Sequence, residues 1–206
     1  MVRWLFVFLQ ERYELEDVDF YDDTTRDRTS DYTFTRVVYD RNNNGNQSIA
    51  FNTDHYDITV SYGGCYYFIP LTTDSQVELS YISKSPHTND TGDCGFGLID
   101  RTANKGNSVY TRVNGTRRFT KNSSATYWTH IYNQTGSSLA NVEIRHIITV
   151  NGLSFTYKAI RTDNETVIWE YSDTFDSNLS GKELGIITGW GSCSHTIKQI
   201  KVKALS

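Results

Sequence analysis

The chain reads as an all-β protein, an antiparallel two-sheet β-sandwich, and three observations predict it: dipeptide turn signals, alternating apolar residues and a composition poor in helix formers. Asn151-Gly152, Asn114-Gly115 and Gly63-Gly64 each stand between two apolar-rich runs. Two-residue hairpin turns need positive φ, which Gly and Asn tolerate, and their twist matches that of paired strands. The alternation is clearest in Val142, Ile144, His146, Ile148 and Val150, with Glu143 and Arg145 opposite. Leu153, Phe155, Tyr157 and Ala159 repeat it, as do Val167, Trp169 and Tyr171. Period-two hydrophobicity means a strand with one buried face. With 14 Tyr and 10 Phe against one Met and two Pro, the composition suits many short pleated strands.

In chain order, the pattern places strands at Tyr32–Tyr39, Ile58–Tyr62, Cys65–Ile69, Val77–Ser83, Cys94–Asp100 and Ser108–Val113. Further strands follow at Thr116–Thr120, Tyr127–Tyr132, Asn141–Val150, Leu153–Arg161, from Val167, at Leu184–Trp190 and at His195–Val202. Arg41–Gln47, around Asn42-Asn43-Asn44-Gly45, is an exposed loop. The one candidate helix is Phe8–Asp17. A length of 206 residues suits one large sandwich and not two. The expected division is an N-terminal attachment segment, 1–19, and a sandwich domain, 20–206. The apolar run Trp4–Leu9 is too short to span a bilayer and lacks a small-residue cleavage site, so neither membrane insertion nor an ordinary signal peptide is expected. An uncovered run of that kind wants a partner, which makes the segment a candidate homo-oligomer contact.

Twenty basic and 24 acidic residues give a formal charge of −4, and no basic stripe forms. Arg117-Arg118 with Lys121, and Lys198, Lys201 and Lys203, are too few for the clustered phosphate contacts of nucleic-acid binding. Cys65, Cys94 and Cys193 are widely spaced with no C-x-x-C pair, which leaves free buried thiols or one bridge. Seven Asn-x-Ser/Thr sequons occur, a modest excess for so polar a chain.

Several stretches together resemble the concanavalin A-like lectin/glucanase (laminin G-like) β-sandwich. These are Phe20-Tyr-Asp-Asp23 before Asp31-Tyr-Thr-Phe34, Cys94-Gly-Phe-Gly-Leu-Ile-Asp100 before Tyr110-Thr-Arg-Val113, Ile148-Thr-Val-Asn-Gly152, Leu184-Gly-Ile-Ile-Thr-Gly189 and Ile197–Val202. The resemblance covers roughly residues 20 to 205. It implies a jelly roll with one concave sheet, and a function among lectins, carbohydrate-binding modules, glycan hydrolases and adhesive or viral tail modules. Fold alone does not choose among them. The Asn/Thr/Tyr-rich, Pro-poor style resembles phage or archaeal-virus tail and fibre domains and prokaryotic adhesins.

Catalytic chemistry is hard to find. Glycan hydrolases on this scaffold carry a Glu-x-Asp-x-x-Glu strand that sets two carboxylates against one cleft. The nearest string here, Asp17-Val-Asp-Phe-Tyr-Asp22, lacks both Glu residues. Gly189-Trp-Gly-Ser-Cys193 has the wrong order for a nucleophile elbow, and the five His show no metal-ligand spacing. His146, on an apolar face, reads as a hydrogen-bonded core residue. Asp22 and Asp23 are candidate ligands for a structural calcium, without an Asp-x-Asp-x-Asp loop behind them. No other cofactor is expected.

Binding is easier to supply, because sugar rings pack C–H faces on aromatic rings while amides and guanidinium groups bond their hydroxyls. Tyr110, Arg112 and Asn114 share a strand face opposite Val109, Thr111 and Val113, so they are expected to face outward. Trp128, His130 and Tyr132 form a second outward set, and Trp190 ends a strand. The expected ligand residues are therefore Tyr110, Arg112, Asn114, Trp128, Tyr132 and Trp190, with Tyr110, Arg112 and Trp128 on one concave outer face. The expected function is non-catalytic binding of a carbohydrate or cell-envelope polymer, at an extracellular or virion surface, as in a tail or fibre receptor-binding domain. The alternatives are a trimerising assembly domain and a glycan hydrolase with an atypical acid pair.

Overall fold

The computed structural model describes residues 20–31, 33–37, 47–60, 64–68, 76–86, 92–100, 103, 105–124, 127–180, 182–189 and 193–205. The expected helix at Phe8–Asp17, the Trp4–Leu9 run, the 1–19 segment and most of the Arg41–Gln47 loop lie outside them. The strands among the described residues are β1 (Phe20–Asp22), β2 (Thr33–Val37), β3 (Gln47–Asn52), β4 (His55–Val60), β5 (Gly64–Phe68), β6 (Gln76–Lys84), β7 (Asp93–Asp100) and β8 (Lys105–Arg112). They continue with β9 (Arg117–Ser124), β10 (Tyr127–Gln134), β11 (Ile144–Asn151), β12 (Ser154–Arg161), β13 (Val167–Thr174), β14 (Glu183–Gly189) and β15 (Cys193–Leu205).

These strands form two antiparallel sheets. One runs β13-β12-β11-β6-β15-β4-β3, with β1 also paired to β15, and the other runs β10-β9-β8-β7-β14-β5-β2. The thirteen-residue β15 needs two partners on one edge. Cys193 to Ile197 pair with β4, and Ile200 to Val202 pair with β1. Between them its register against β6 shifts, where Gln199 takes φ +53°. A bulge of this kind bends a strand without ending it.

The core lies between the sheets and follows the alternation. Along β11 the burial pattern puts Ile144, His146, Ile148 and Val150 inside, and along β12 Phe155, Tyr157 and Ala159. From the seven-stranded sheet Phe96, Leu98, Val109, Phe119, Leu184 and Ile186 meet them. Ring contacts knit this core, with Phe155 stacked on Phe175 at 4.4 Å and Tyr81 edge-on to Phe96 at 5.3 Å. Among the described residues, no helix is long and apolar enough to cross a membrane.

One polar chain runs through this core. His146 is fully buried, its Nδ1 lies 2.7 Å from the Tyr157 hydroxyl and its Nε2 lies 2.8 Å from Ser83 Oγ, while Tyr81 stacks on its ring at 4.9 Å. A buried polar ring is tolerated because both nitrogens are bonded. Burial, and then the neighbouring His195, push the imidazole down to about 3, so it stays neutral.

The three expected two-residue turns fare differently. At the β11–β12 hairpin Asn151 pairs with Ser154, so the two loop residues are Gly152 and Leu153. Gly152 alone takes positive φ, +60°, which fits Gly at the first central position and moves the turn one residue on. At the β8–β9 hairpin the Gly115 N–H donates to the Arg112 carbonyl and the Arg112 N–H to the Thr116 carbonyl. This makes a three-residue loop, Val113 to Gly115, closed by Gly115 at φ +84°. The Gly63-Gly64 hairpin does not exist: β4 pairs in one sheet and β5 in the other, so that link crosses between sheets. Two features went unread in the sequence, the strand β3 and its hairpin to β4, because its turn residue at φ +56° is Thr53, not Gly or Asn.

Candidate functional site

Strand alternation divides the seven-stranded sheet into two faces. Val109 and Phe119 point into the core, so Ser108, Tyr110 and Arg112 on β8, and Arg118 and Thr120 on β9, stand on the other face. Reading across the sheet, Asn133, Arg118, Tyr110, Gly95 and Ile187 form one row of directly opposed residues. The next row is His130, Thr120, Ser108, Gly97 and Gly185. Asp93 and Arg112 are opposed on β7 and β8.

This face is polar and tightly bonded. Arg112 Nε donates to Asp93 Oδ1 at 2.7 Å, an ion pair with side chains only 12% and 6% exposed. Burial pushes the Asp93 carboxyl up to about 6, a desolvation cost that the Arg112 and Arg118 guanidinium groups only partly offset. Arg118 Nε donates to Asn133 Oδ1 at 3.0 Å, and Arg118 stands directly opposite Tyr110 across β8 and β9. His130 is held below the ordinary histidine value, first by desolvation and then by Arg118 and Arg112. The floor of this region is buried, with Thr120 at 1%, Ser108 at 2%, Tyr110 at 3% and Ile187 at 3% exposure. His130 and Asn133 are exposed, and Arg112 and Arg118 are half-buried.

The expected ligand residues are distributed unevenly around this face. Tyr110 and Arg112 share it as their alternation requires, but the Tyr110 ring is buried and offers no platform for stacking. It stands directly opposite Arg118. Asn114 belongs to the hairpin loop, where its Oδ1 accepts the Thr116 N–H at 2.9 Å. Tyr132 is corrected outright: a register shift between His130 and Tyr132 turns it to the inner face opposite Phe119. There it stacks on Trp169 at 5.4 Å and packs on Tyr171 at 4.9 Å. Ile131, at the bulge, is left 48% exposed. Trp128 pairs with Asn122 by register, but its side chain is outside the described residues, as is Trp190.

Two further groups bear on chemistry. Cys94 Sγ lies 3.2 Å from His195 Nδ1, beside a cavity of about 20 Å³ bordered by Ser85, Gly92, Arg112 and Val113, room for about one water. A Cys–His pair becomes a nucleophile only through its thiolate. Here both side chains are buried and desolvation pushes the Cys94 thiol far up, so this pair is a packed hydrogen bond and not an activated nucleophile. Asp22 and Asp23, the candidate calcium ligands, are both engaged by neighbouring residues. Asp22 is fully buried, its Oδ1 taking the Thr24 N–H at 2.9 Å and its Oδ2 the Tyr56 hydroxyl at 2.7 Å. Asp23 is turned to Thr25. Calcium takes six to eight oxygens, and among the described residues no group of three or more His, Cys, Asp or Glu side chains could hold a metal.

An eight- and a seven-stranded antiparallel sheet closed over one core define the concanavalin A-like, lectin-type β-sandwich, and comparison with solved structures agrees. The exoplasmic/lumenal domain of VIP36, in its Ca2+/Man3GlcNAc-bound form, superposes with a TM-score of 0.62 at 11% identity, covering 91% of each chain. The CBM2 module of the evolved Dit of Lactobacillus casei BL23 phage J-1 matches at 0.62 and 11%, covering 92% of this chain and 97% of that one. The carbohydrate-binding module CBM66 from Bacillus subtilis matches at 0.58 and 11%, covering 83% and 95%. No family model and no curated relative matches this chain.

Proposed function

We propose that this protein is a non-catalytic glycan-binding module whose ligand lies on the outer face of the seven-stranded sheet, over strands β8 to β10. The observation that carries the reading is the bonded pair Asn133–Arg118, opposite Tyr110, beside the Arg112–Asp93 pair. It sets the exposed Asn133 amide and His130 imidazole of β10 beside the half-buried Arg118 and Arg112 guanidinium groups, with Arg118 held to Asn133 and Arg112 to Asp93 by hydrogen bonds before any ligand arrives. Preorganised polar groups of this kind lower the ordering cost of binding. The lectin-type fold supports the reading, as do neighbours whose names mark them as carbohydrate-binding modules or sugar-bound domains. A neighbour that is a module of a phage protein supports placing this one at an extracellular or virion surface, in host attachment. Arg112 keeps its expected ligand role in this proposal.

A glycan array followed by titration calorimetry tests it. The wild-type chain is expected to bind one glycan class, and His130→Ala and Asn133→Ala are expected to weaken that binding while leaving the melting temperature within a few degrees. Retained affinity in both variants would move the site elsewhere. No ligand on a broad array would remove the reading.

A further inference from the structure

Resting on that reading, we propose that the glycan is acidic, and that a sugar-borne oxyanion docks between Arg112 and Arg118. The argument begins with the charges that face this surface. On the outer positions of β7, β8, β9 and β10, the described charged side chains are Arg112, Arg118 and Asp93, with His130 as the titratable neighbour. Glu183 stands on the same face but at the far end of the sheet, opposite Ile99. Asp93 is 4% exposed and pinned beneath Arg112 at 2.7 Å, so its charge is directed at the guanidinium and away from solvent. Of the pair, Arg112 keeps the larger exposed share, 12% of its side chain against 6% for Asp93, although the chain as a whole carries −4.

The spacing suits one anion. Tyr110 is directly opposite Arg118, and Arg112 lies two residues further along β8, which makes Arg112 and Arg118 diagonal neighbours. Diagonal partners in an antiparallel pair stand about 7–8 Å apart. Two planar guanidinium groups reaching from that distance can bracket a carboxylate or a sulfate, the groups whose geometry Arg matches best. His130 and Asn133, both exposed on the neighbouring strand, are placed to bond the sugar hydroxyls around it. Carboxylated and sulfated sugars share this chemistry, and the experiment separates them.

The test uses the full chain in calorimetry against three soluble probes: oligogalacturonate, the same oligosaccharide after carboxyl reduction, and a sulfated galactan oligosaccharide. At low ionic strength, one or both anionic probes are expected to bind about ten- to a hundredfold tighter than the reduced one, the range of a charge-assisted hydrogen bond. Raising the salt to 0.5 M narrows that gap, because Coulomb attraction is screened. R118Q is expected to abolish the preference, and R118K to restore part of it. The anionic probe that binds names the oxyanion. Equal binding of charged and reduced probes overturns the acidic assignment while leaving glycan binding standing. So does a preference for neutral glycans, or an acid preference that R118Q does not touch. Absence of binding to these probes and to every glycan on an array overturns the proposed function, and this inference with it.

Discussion

Replacing His146 with Phe isolates a pH term that the intact core conceals. The imidazole is buried and neutral, with its folded value near 3 against about 6.5 in an unfolded chain. Below pH 6.5 the unfolded state therefore takes up a proton that the native state refuses. Stability supplied by the neutral ring is complete above pH 6.5 and is lost as the pH falls toward 3. The difference of about 3.5 units corresponds to about 5 kcal/mol at its limit. Asp93 works in the opposite sense: its folded value is raised to about 6, so the native state holds a proton that the unfolded chain has released. Its contribution is complete below about pH 4 and is lost by pH 6, about 3 kcal/mol in all. Between pH 6 and 4 the two nearly cancel, and the wild type should show a flat profile. In H146F only the Asp93 side remains, and the variant should gain about 3 kcal/mol on acidification over that interval. At pH 7 the same substitution leaves Ser83 Oγ and the Tyr157 hydroxyl without their ring partner, costing about 1–3 kcal/mol each. Urea unfolding followed by tryptophan fluorescence from pH 7 to pH 4 measures both effects, and Tyr157→Phe controls for the lost hydroxyl bond. A constant gap between wild type and H146F at every pH would refute the reasoning.

Other expectations follow from packing and burial. Gly95→Ala would bring a Cβ to 2.1 Å from the Val109 carbonyl oxygen, a backbone atom that cannot swing aside, so a loss of at least about 1–3 kcal/mol is expected in thermal melts. Trp169→Ala removes a 5%-exposed ring packed on Tyr132, Tyr157 and Tyr171 and should cost about 3–5 kcal/mol in denaturant titration. Cys94 and Cys193 are buried, and desolvation pushes the Cys193 thiol up to about 12 and Cys94 further. Mass-spectrometric mapping should find both unalkylated by iodoacetamide at pH 8 in the native protein and labelled at once in 8 M urea.

The sequence was most legible where one strand speaks for itself. Val142 to Val150 and Leu153 to Ala159 announce their buried face by period two, because each side chain's environment depends only on its parity. What crosses between strands is less legible, since it depends on the length of a turn. A two-residue loop at Asn114-Gly115 would pair Tyr110 with Phe119. The three-residue loop pairs it with Arg118 and places a guanidinium in the site. Arg118 was visible as part of Arg117-Arg118, but only the register gives it a partner. Tyr132 was misplaced for a related reason: one extra residue at Ile131 reverses parity, and no glycine or proline marks the spot. The Gly63-Gly64 signal misled because a flexible dipeptide serves a crossing between sheets as readily as a hairpin.

The two faces of β8 and β9 have a consequence for how such a protein can change. Val109, Thr111 and Phe119 answer to the core, whereas Tyr110, Arg112 and Arg118 answer to the outer surface, although the six residues are interleaved along the same two strands. Mutation can therefore rewrite every second letter without disturbing the others. A lineage drifting under selection for new ligands would keep its architecture while losing nearly all recognisable likeness in sequence. The fold this chain shares with the VIP36 domain over nine-tenths of its length, at 11% identity, shows how little of the architecture depends on particular residues.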